Sequence, residues 1–471
     1  VPDKGNEDGQ TSVGNPRRLS GREVGEMEDE RGRLSTIETI SLAVGFTIGS
    51  GIITQTGIGI GMTGRSIFLA FLVSAALFLI SFRPIFMMST LLPRTSAAYT
   101  YSKKLIHEDA GRLYAYVYFL GRMTIAIFGI SFAQYLASMV PVLSGEAAQR
   151  LVALGVLTLF FAVNLLGVKA AAKLQNIMCV VLIAGILVFV VFGIGKVDYT
   201  TFFKEGFFTG GFGGFYSAVS LLYFAVGGAY IITDFAPKIR NASKMMVKVI
   251  TGVTLVVCAL YMLMGIVASG SVPVAEAAGK PLTVAAGAVL TNKALYGFFI
   301  IGACMGALIT TLNSSFVWYS NSLIRACEDG CFPKRWAKVN KAGVPYNLMI
   351  IFYLFGAVPA ALGMDLTVLS KMAIGLTILG TCIPMAGILK LPAKYPELWK
   401  NSKYAKRYPR WRLNVMVVIT YAVLATQVYS LFAGNPLWAN VIILVYMGCV
   451  VFGLGARRIL LKKRMAAEAE S

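Results

Sequence analysis

Long apolar runs recur along this chain, at about residues 37 to 60, 67 to 92, 113 to 143, 150 to 166, 174 to 194, 211 to 235, 246 to 270, 294 to 325, 347 to 363, 366 to 391, 412 to 433 and 437 to 456. A bilayer core takes about 20 apolar residues per helix, and lipid offers no partners to an unpaired backbone, so spans of this length are helical. The chain is 57% hydrophobic and only 14% charged, whereas soluble domains run at about 45–50% and about 25%. These runs therefore predict an all-α polytopic membrane protein with 12 transmembrane helices.

A formal charge of +21 would suggest nucleic acid on a soluble chain. Placement decides otherwise. With the amino terminus inside, 34 of the 43 Lys and Arg fall in cytoplasmic segments, 6 in outer loops and 3 (Arg83, Arg122 and Lys371) within spans. Positive charge is retained on the cytoplasmic side during insertion, so both termini are expected in the cytoplasm, the location is the cell membrane, and no nucleic-acid partner is expected. Residues 1–34 read as a disordered cytosolic tail, 35–460 as the membrane domain and 457–471 as a basic cytosolic tail. The seven cysteines have no regular spacing, and Cys327 and Cys331 have no second pair or nearby histidine. Neither a disulfide framework nor a zinc site is expected, and no cofactor is implied.

Two spans are interrupted by glycine. The first carries Gly45, the run Ile48-Gly49-Ser50-Gly51-Ile52, then Gly57, Gly59 and Gly61; the sixth carries Gly211, Gly213, Gly214 and the pair Gly227-Gly228. They open two successive five-span sets, residues about 35–195 and 205–391, with two further helices over 412–456. An odd number of spans per set inverts the second relative to the first. Paired interrupted spans at corresponding places are the pointer to a binding site at the bilayer midplane, although small residues also serve close helix packing.

An unwound helix at membrane depth needs partners for its freed amides and carbonyls, and a zwitterion supplies them. The amides of Ser50, Gly51 and Ile52 would open a half-helix whose dipole favours a carboxylate. Carbonyls around Thr47 and Ile48, and near Phe224 and Gly227, would accept from an ammonium.

At these residues the chain resembles the amino acid, polyamine and organocation transporter superfamily. The resemblance rests on Gly49-Ser50-Gly51-Ile52, on Phe224-Ala225-Val226-Gly227-Gly228, and on the loop after the eighth span, Asp329-Gly330-Cys331-Phe332-Pro333 followed by Val339 to Pro345. Lys238-Ile239-Arg240-Asn241 and the stretch from Asn164 to Gln175 match as well. It implies a five-plus-five inverted repeat (LeuT-like) with broken first and sixth helices, alternating access, and Phe224 as an aromatic lid over a site made by Thr47, Ile48, Gly49, Ser50, Gly51, Ile52, Phe224, Gly227 and Gly228.

Departures from the family pattern narrow the expectation. The fifth-span lysine of some members is Leu182 here, acidic positions are Met87 and Tyr230, and the Pro-x-Ser-Gly-Gly stretch reads Pro93-Arg94-Thr95-Ser96-Ala97. Sodium would need eighth-span hydroxyls, for which Ser314 and Ser315 are the candidates. No outer cysteine lies in residues 144–149, so a disulfide-linked accessory subunit is not expected; the sequence leaves the oligomeric state open.

Charges at membrane depth face a cavity or a partner. Arg83 and Arg122 are expected at similar depth on antiparallel spans, with Asp234 as acidic partner, either as a structural pair or as an electropositive inner vestibule. Lys371 reads as snorkelling, and His107 as a solvated loop residue. With so little negative charge available, neutral amino acids are expected first, acidic ones second, and arginine or polyamines last. A nutrient receptor on a transporter scaffold is the competing class. An enzyme is not expected, since no His-Glu-x-x-His, Gly-x-Ser-x-Gly or Gly-x-Gly-Asp run is present.

Overall fold

A computed structural model describes residues 34–166 and 171–470, excluding the side chains of Ser50, 171–179, Val317, Asn321 and 461–470. The tail up to residue 33 lies outside the described residues. What is described is helical, with one two-residue bridge and no strand. Among the described residues nine helical runs are long and apolar enough to cross a membrane, and Val180–Lys196 and Tyr346–Leu362 are shorter apolar helices.

The first apolar run divides into α1 (Thr36–Thr47) and α2 (Ser50–Thr63). α1 starts with a capping box in which the Ser35 hydroxyl accepts from the Glu38 amide and Glu38 reaches back to the Ser35 amide. The second run divides into α3 (Ile67–Ser81) and α4 (Arg83–Leu91); Pro84, which cannot donate a helical hydrogen bond, sits in the first turn of α4. α5 (Glu108–Gly121) and α6 (Thr124–Met139) meet at Arg122-Met123, where the amides tighten to bonds three residues back. α7 (Glu146–Leu165), α8 (Ala171–Gly193), α9 (Gly211–Val226), α10 (Ala242–Gly270), α11 (Gly306–Glu328), α12 (Tyr346–Leu362), α13 (Leu366–Met385), α14 (Arg410–Ala433) and α15 (Leu437–Glu470) follow. The boundary expected at residue 457 falls inside α15, which continues unbroken.

Lipid is as apolar as leucine, so what holds these helices to one another is close packing and interhelical hydrogen bonds. α2 lies against α9 because Gly51 admits the Ala225 backbone: a Cβ there would meet Ala225 Cα at 3.1 Å. Ser74 of α3 donates to the Val219 carbonyl of α9 at 3.0 Å. Asn164 of α7 donates to Asn313 Oδ1 of α11 at 2.7 Å, both buried.

The chain entering α1 is tied to the chain leaving the sixth apolar run. Leu34 donates to the Lys238 carbonyl at 2.7 Å and Arg240 donates back at 2.9 Å. Farther in, the rings of Phe46 and Phe235 stack with centroids 6.0 Å apart. The two interrupted segments thus stand as one packed pair.

Candidate functional site

α1 ends with the Ile48 amide closing onto the Val44 carbonyl at 2.7 Å, after which Ile48 and Gly49 are extended (φ −85° and −156°). α2 then starts on Gly49 with no side-chain cap. Its first-turn amides therefore keep their donors, and a 14-residue helix stands behind them. The break is two residues wide and opens on a cavity walled by Thr47, Gly49, Gly51, Phe224, Thr311 and Trp318, among others.

The sixth run behaves differently. α9 ends at Val226, and Gly228–Lys238 follows as a tight 3₁₀ helix. The backbone here changes its winding and stays hydrogen-bonded: the Gly227 amide donates to Tyr223 and the Gly227 carbonyl accepts from the Tyr230 amide at 3.1 Å. The expectation of freed carbonyls near Gly227 is corrected accordingly. The Thr47 carbonyl is also engaged, by the Tyr261 hydroxyl at 2.8 Å.

The proposed contact residues separate into three kinds. Thr47, Gly49, Gly51, Phe224, Gly227 and Gly228 line the cavity. Ile48 and Ile52 are buried, 5% and 0% exposed, in the hydrophobic packing, so only their backbone is available to a solute. Ser50 opens α2, with its side chain outside the description. Gly228 is there for packing: a Cβ would meet the Phe46 carbonyl oxygen at 2.2 Å and Thr47 Cα at 2.5 Å. Gly45, by contrast, lines the cavity and has nothing within 4 Å of an added Cβ.

Ser314 and Ser315 line the same cavity. Their hydroxyls donate within α11, to Thr310 at 2.8 Å and Thr311 at 2.7 Å, so each oxygen presents lone pairs as an acceptor. These lone pairs suit an ammonium's N–H donors and a sodium ion alike.

The three charges expected in one vestibule are dispersed. Arg83 is exposed, donates to the Tyr408 hydroxyl at 2.8 Å and sits over its ring. Asp234 accepts from the Ala97 amide at 2.7 Å and forms no ion pair with Arg122. Arg122 alone lines the cavity, 2% exposed, donating to Thr377 Oγ1 at 3.0 Å and the Tyr118 carbonyl at 3.3 Å. Lys371 donates to the Gly434 carbonyl at 2.8 Å. His107 is an N-cap, its Nδ1 accepting from the Asp109 amide at 3.1 Å.

Sequence reasoning missed the aromatic and hydroxyl wall: Phe78, Phe82, Tyr223, Thr311, Trp318 and Thr377. Buried Arg122 was the available signal, since a membrane-depth guanidinium implies polar and aromatic neighbours on facing helices.

Membrane-length helices around a cavity that meets an interrupted first span are an architecture that suits a solute transporter. The amino acid permease family profile matches residues 34–453, and the chain belongs to that family. It is 25% identical over 390 residues to the branched-chain amino acid permease BcaP of Bacillus subtilis (strain 168), covering 78% of this chain and 82% of that protein. It is 24% identical to the methylthioribose transporter of the same organism, over 90% of this chain and 93% of the relative. The serine/threonine exchanger SteT, again from Bacillus subtilis, is 26% identical over 47% of this chain and 51% of its own length.

Proposed function

We propose that this permease exchanges zwitterionic amino acids across the cytoplasmic membrane by alternating access, with neutral side chains preferred. The reading includes twelve spans, a five-plus-five inverted repeat, both termini inside, and the break at Ile48-Gly49 as the seat of the substrate carboxylate. The observation that carries it is the uncapped first turn of α2 facing a cavity with apolar and hydroxyl walls. An amide-rich helix start favours an anion, and the Ser314 and Ser315 oxygens favour the ammonium. BcaP and SteT, named for branched-chain amino acids and for serine and threonine, support a neutral substrate.

Cationic substrates rank last because a guanidinium already occupies the cavity wall, and its aromatic neighbours are its own cation–π partners. Coupling through a fifth-span lysine is absent from the reading, because Leu182 is buried and cannot titrate. Exchange or facilitated diffusion follows as the mechanism.

Counterflow in liposomes with purified protein tests this. Neutral amino acids are expected to exchange, with no concentration driven by an imposed proton gradient. The panel includes methylthioribose, because the relative named for it is matched over nearly its whole length. Exchange of that solute alone would replace the amino acid reading, and amino acid binding without counterflow would make the protein a receptor.

A further inference from the structure

Arg122 is a buried cation whose charge has no carboxylate among the described residues. Its Nε and Nη2 donate to the Tyr118 carbonyl and Thr377 Oγ1, which leaves the rest of the guanidinium fork facing the cavity it lines. The guanidinium lies over the rings of Tyr118 at 4.1 Å, Tyr319 at 4.8 Å and Trp318 at 5.7 Å. Ring faces hold the cation in place without neutralising it. Beside it, Trp318 Nε1 is a buried donor with no acceptor among the described residues. An unneutralised guanidinium and an orphan indole donor at one corner of a cavity are a site for an anionic acceptor.

We propose that Arg122 and Trp318 bind the side-chain carboxylate of an acidic amino acid. This rests on the reading that the α2 start holds the α-carboxylate. Thr311 is level with the break, since a Cβ on Gly49 would meet its Oγ1 at 2.9 Å. Trp318 lies seven residues further along α11, about 10 Å at 1.5 Å per residue, and helical side chains lean back toward the amino end. A solute with an acceptor at each end of an extended chain spans that interval, and glutamate does so better than aspartate. A monoanionic substrate also neutralises a charge otherwise left alone in a low-dielectric wall. Neutral amino acids occupy the first end only.

Two measurements on the purified full chain test this: ligand-induced thermal shift, and competition by glutamate for counterflow of a labelled neutral amino acid. In the unaltered protein glutamate should bind and compete, with aspartate weaker. Arg122→Gln should weaken glutamate at least tenfold more than the neutral substrate; Arg122→Lys, which keeps the charge and loses the fork, should fall between, and Trp318→Phe should show a smaller loss of the same kind. Failure of glutamate to compete where neutral amino acids exchange would overturn the assignment, as would equal losses for both in all three variants. Replacing chloride by gluconate distinguishes a free anion: a tenfold gain in glutamate affinity would give the corner to chloride instead. Glutamate binding without any exchange would leave this inference standing and sink the transport reading.

Discussion

The two glycine-interrupted regions carry the same sequence signal and do different physical work. At Ile48-Gly49 the helix is interrupted, and the next one starts uncapped at a cavity. At Gly227-Gly228 the backbone tightens, keeps its hydrogen bonds and presses against the Phe46 carbonyl. In both cases glycine supplies the lack of a Cβ, but at Gly49 the close neighbour is the Thr311 hydroxyl at 2.9 Å, a side chain, and at Gly228 it is the Phe46 backbone carbonyl at 2.2 Å. A glycine pair in a membrane span is thus ambiguous until the neighbour of its missing side chain is known.

Substitutions separate the two uses. Gly228→Ala should have the largest effect, because its methyl would lie 2.2 Å from a backbone oxygen that has nowhere to go. Overpacking costs about 1–3 kcal/mol where side chains can yield, and here the backbone of α1 must shift. Low yield and a thermal transition lowered by many degrees are expected; a wild-type transition would show that the two segments are not pressed together.

Gly45→Leu comes next and sharpens the contrast. Its Cβ meets nothing within 4 Å, and replacing a helix-interior glycine removes a penalty of about 1 kcal/mol. The protein should fold at least as well as the parent and lose substrate binding, read as loss of ligand-induced thermal shift. Gly51→Leu is a poorer test than the sequence suggests, because its side chain would enter the Ala225 backbone as well as the cavity.

Phe224 is half-buried on the cavity wall. Phe224→Ala should slow exchange severalfold more than Phe224→Trp, measured as counterflow rate. Equal rates in both would remove the ring from the transport path.

Ser96 offers a smaller test. It stands at φ +48°, in the left-handed region, at a position where the family pattern has glycine. Ser96→Gly should raise stability by about 1 kcal/mol, read as a higher midpoint in thermal unfolding, with little change in exchange.

The smallest expected effect is acid sensitivity at Asp329. Burial alone would raise its carboxyl, but the Lys103 ammonium at 2.8 Å and the Tyr99 hydroxyl at 2.7 Å outweigh it and hold the group below its ordinary value. A carboxylate with a lowered folded-state pKa contributes stability above its unfolded pKa, near 4. That contribution is lost as pH falls through the lower folded value. Asp329→Asn should therefore flatten stability against pH below about 4 and leave it unchanged in shape near neutrality.

How much of this was legible follows from the range of each signal. Helix breaks are local: Gly49 between two apolar stretches, and Pro84 after Phe82, can be read from a few residues. Facing is not local here, since spans that are apolar all round give no stripe to orient them. Arg83 and Arg122 look equivalent in sequence, yet one meets Tyr408 and the other meets α11, partners separated by 325 and about 200 residues. Asp234 was assigned to Arg122 on depth alone, and went instead to the Ala97 amide 137 residues away. Two of the carbonyls expected to be free, those of Thr47 and Gly227, were counted from helix ends, before Tyr261 and the 3₁₀ turn could be seen to use them.

Past the middle of α15, Arg457 and Arg458 reach Asp109 at the start of α5, Arg457 at 3.5 Å from Oδ1 and Arg458 through its Nε to Oδ2. Those partners are separated by almost 350 residues. During synthesis Asp109 is therefore in place long before its basic partners leave the ribosome, and Glu108 is held meanwhile by Arg112. The clasp closes only once every residue from 109 to 458 has been made, so it is among the last long-range contacts the described helices can form.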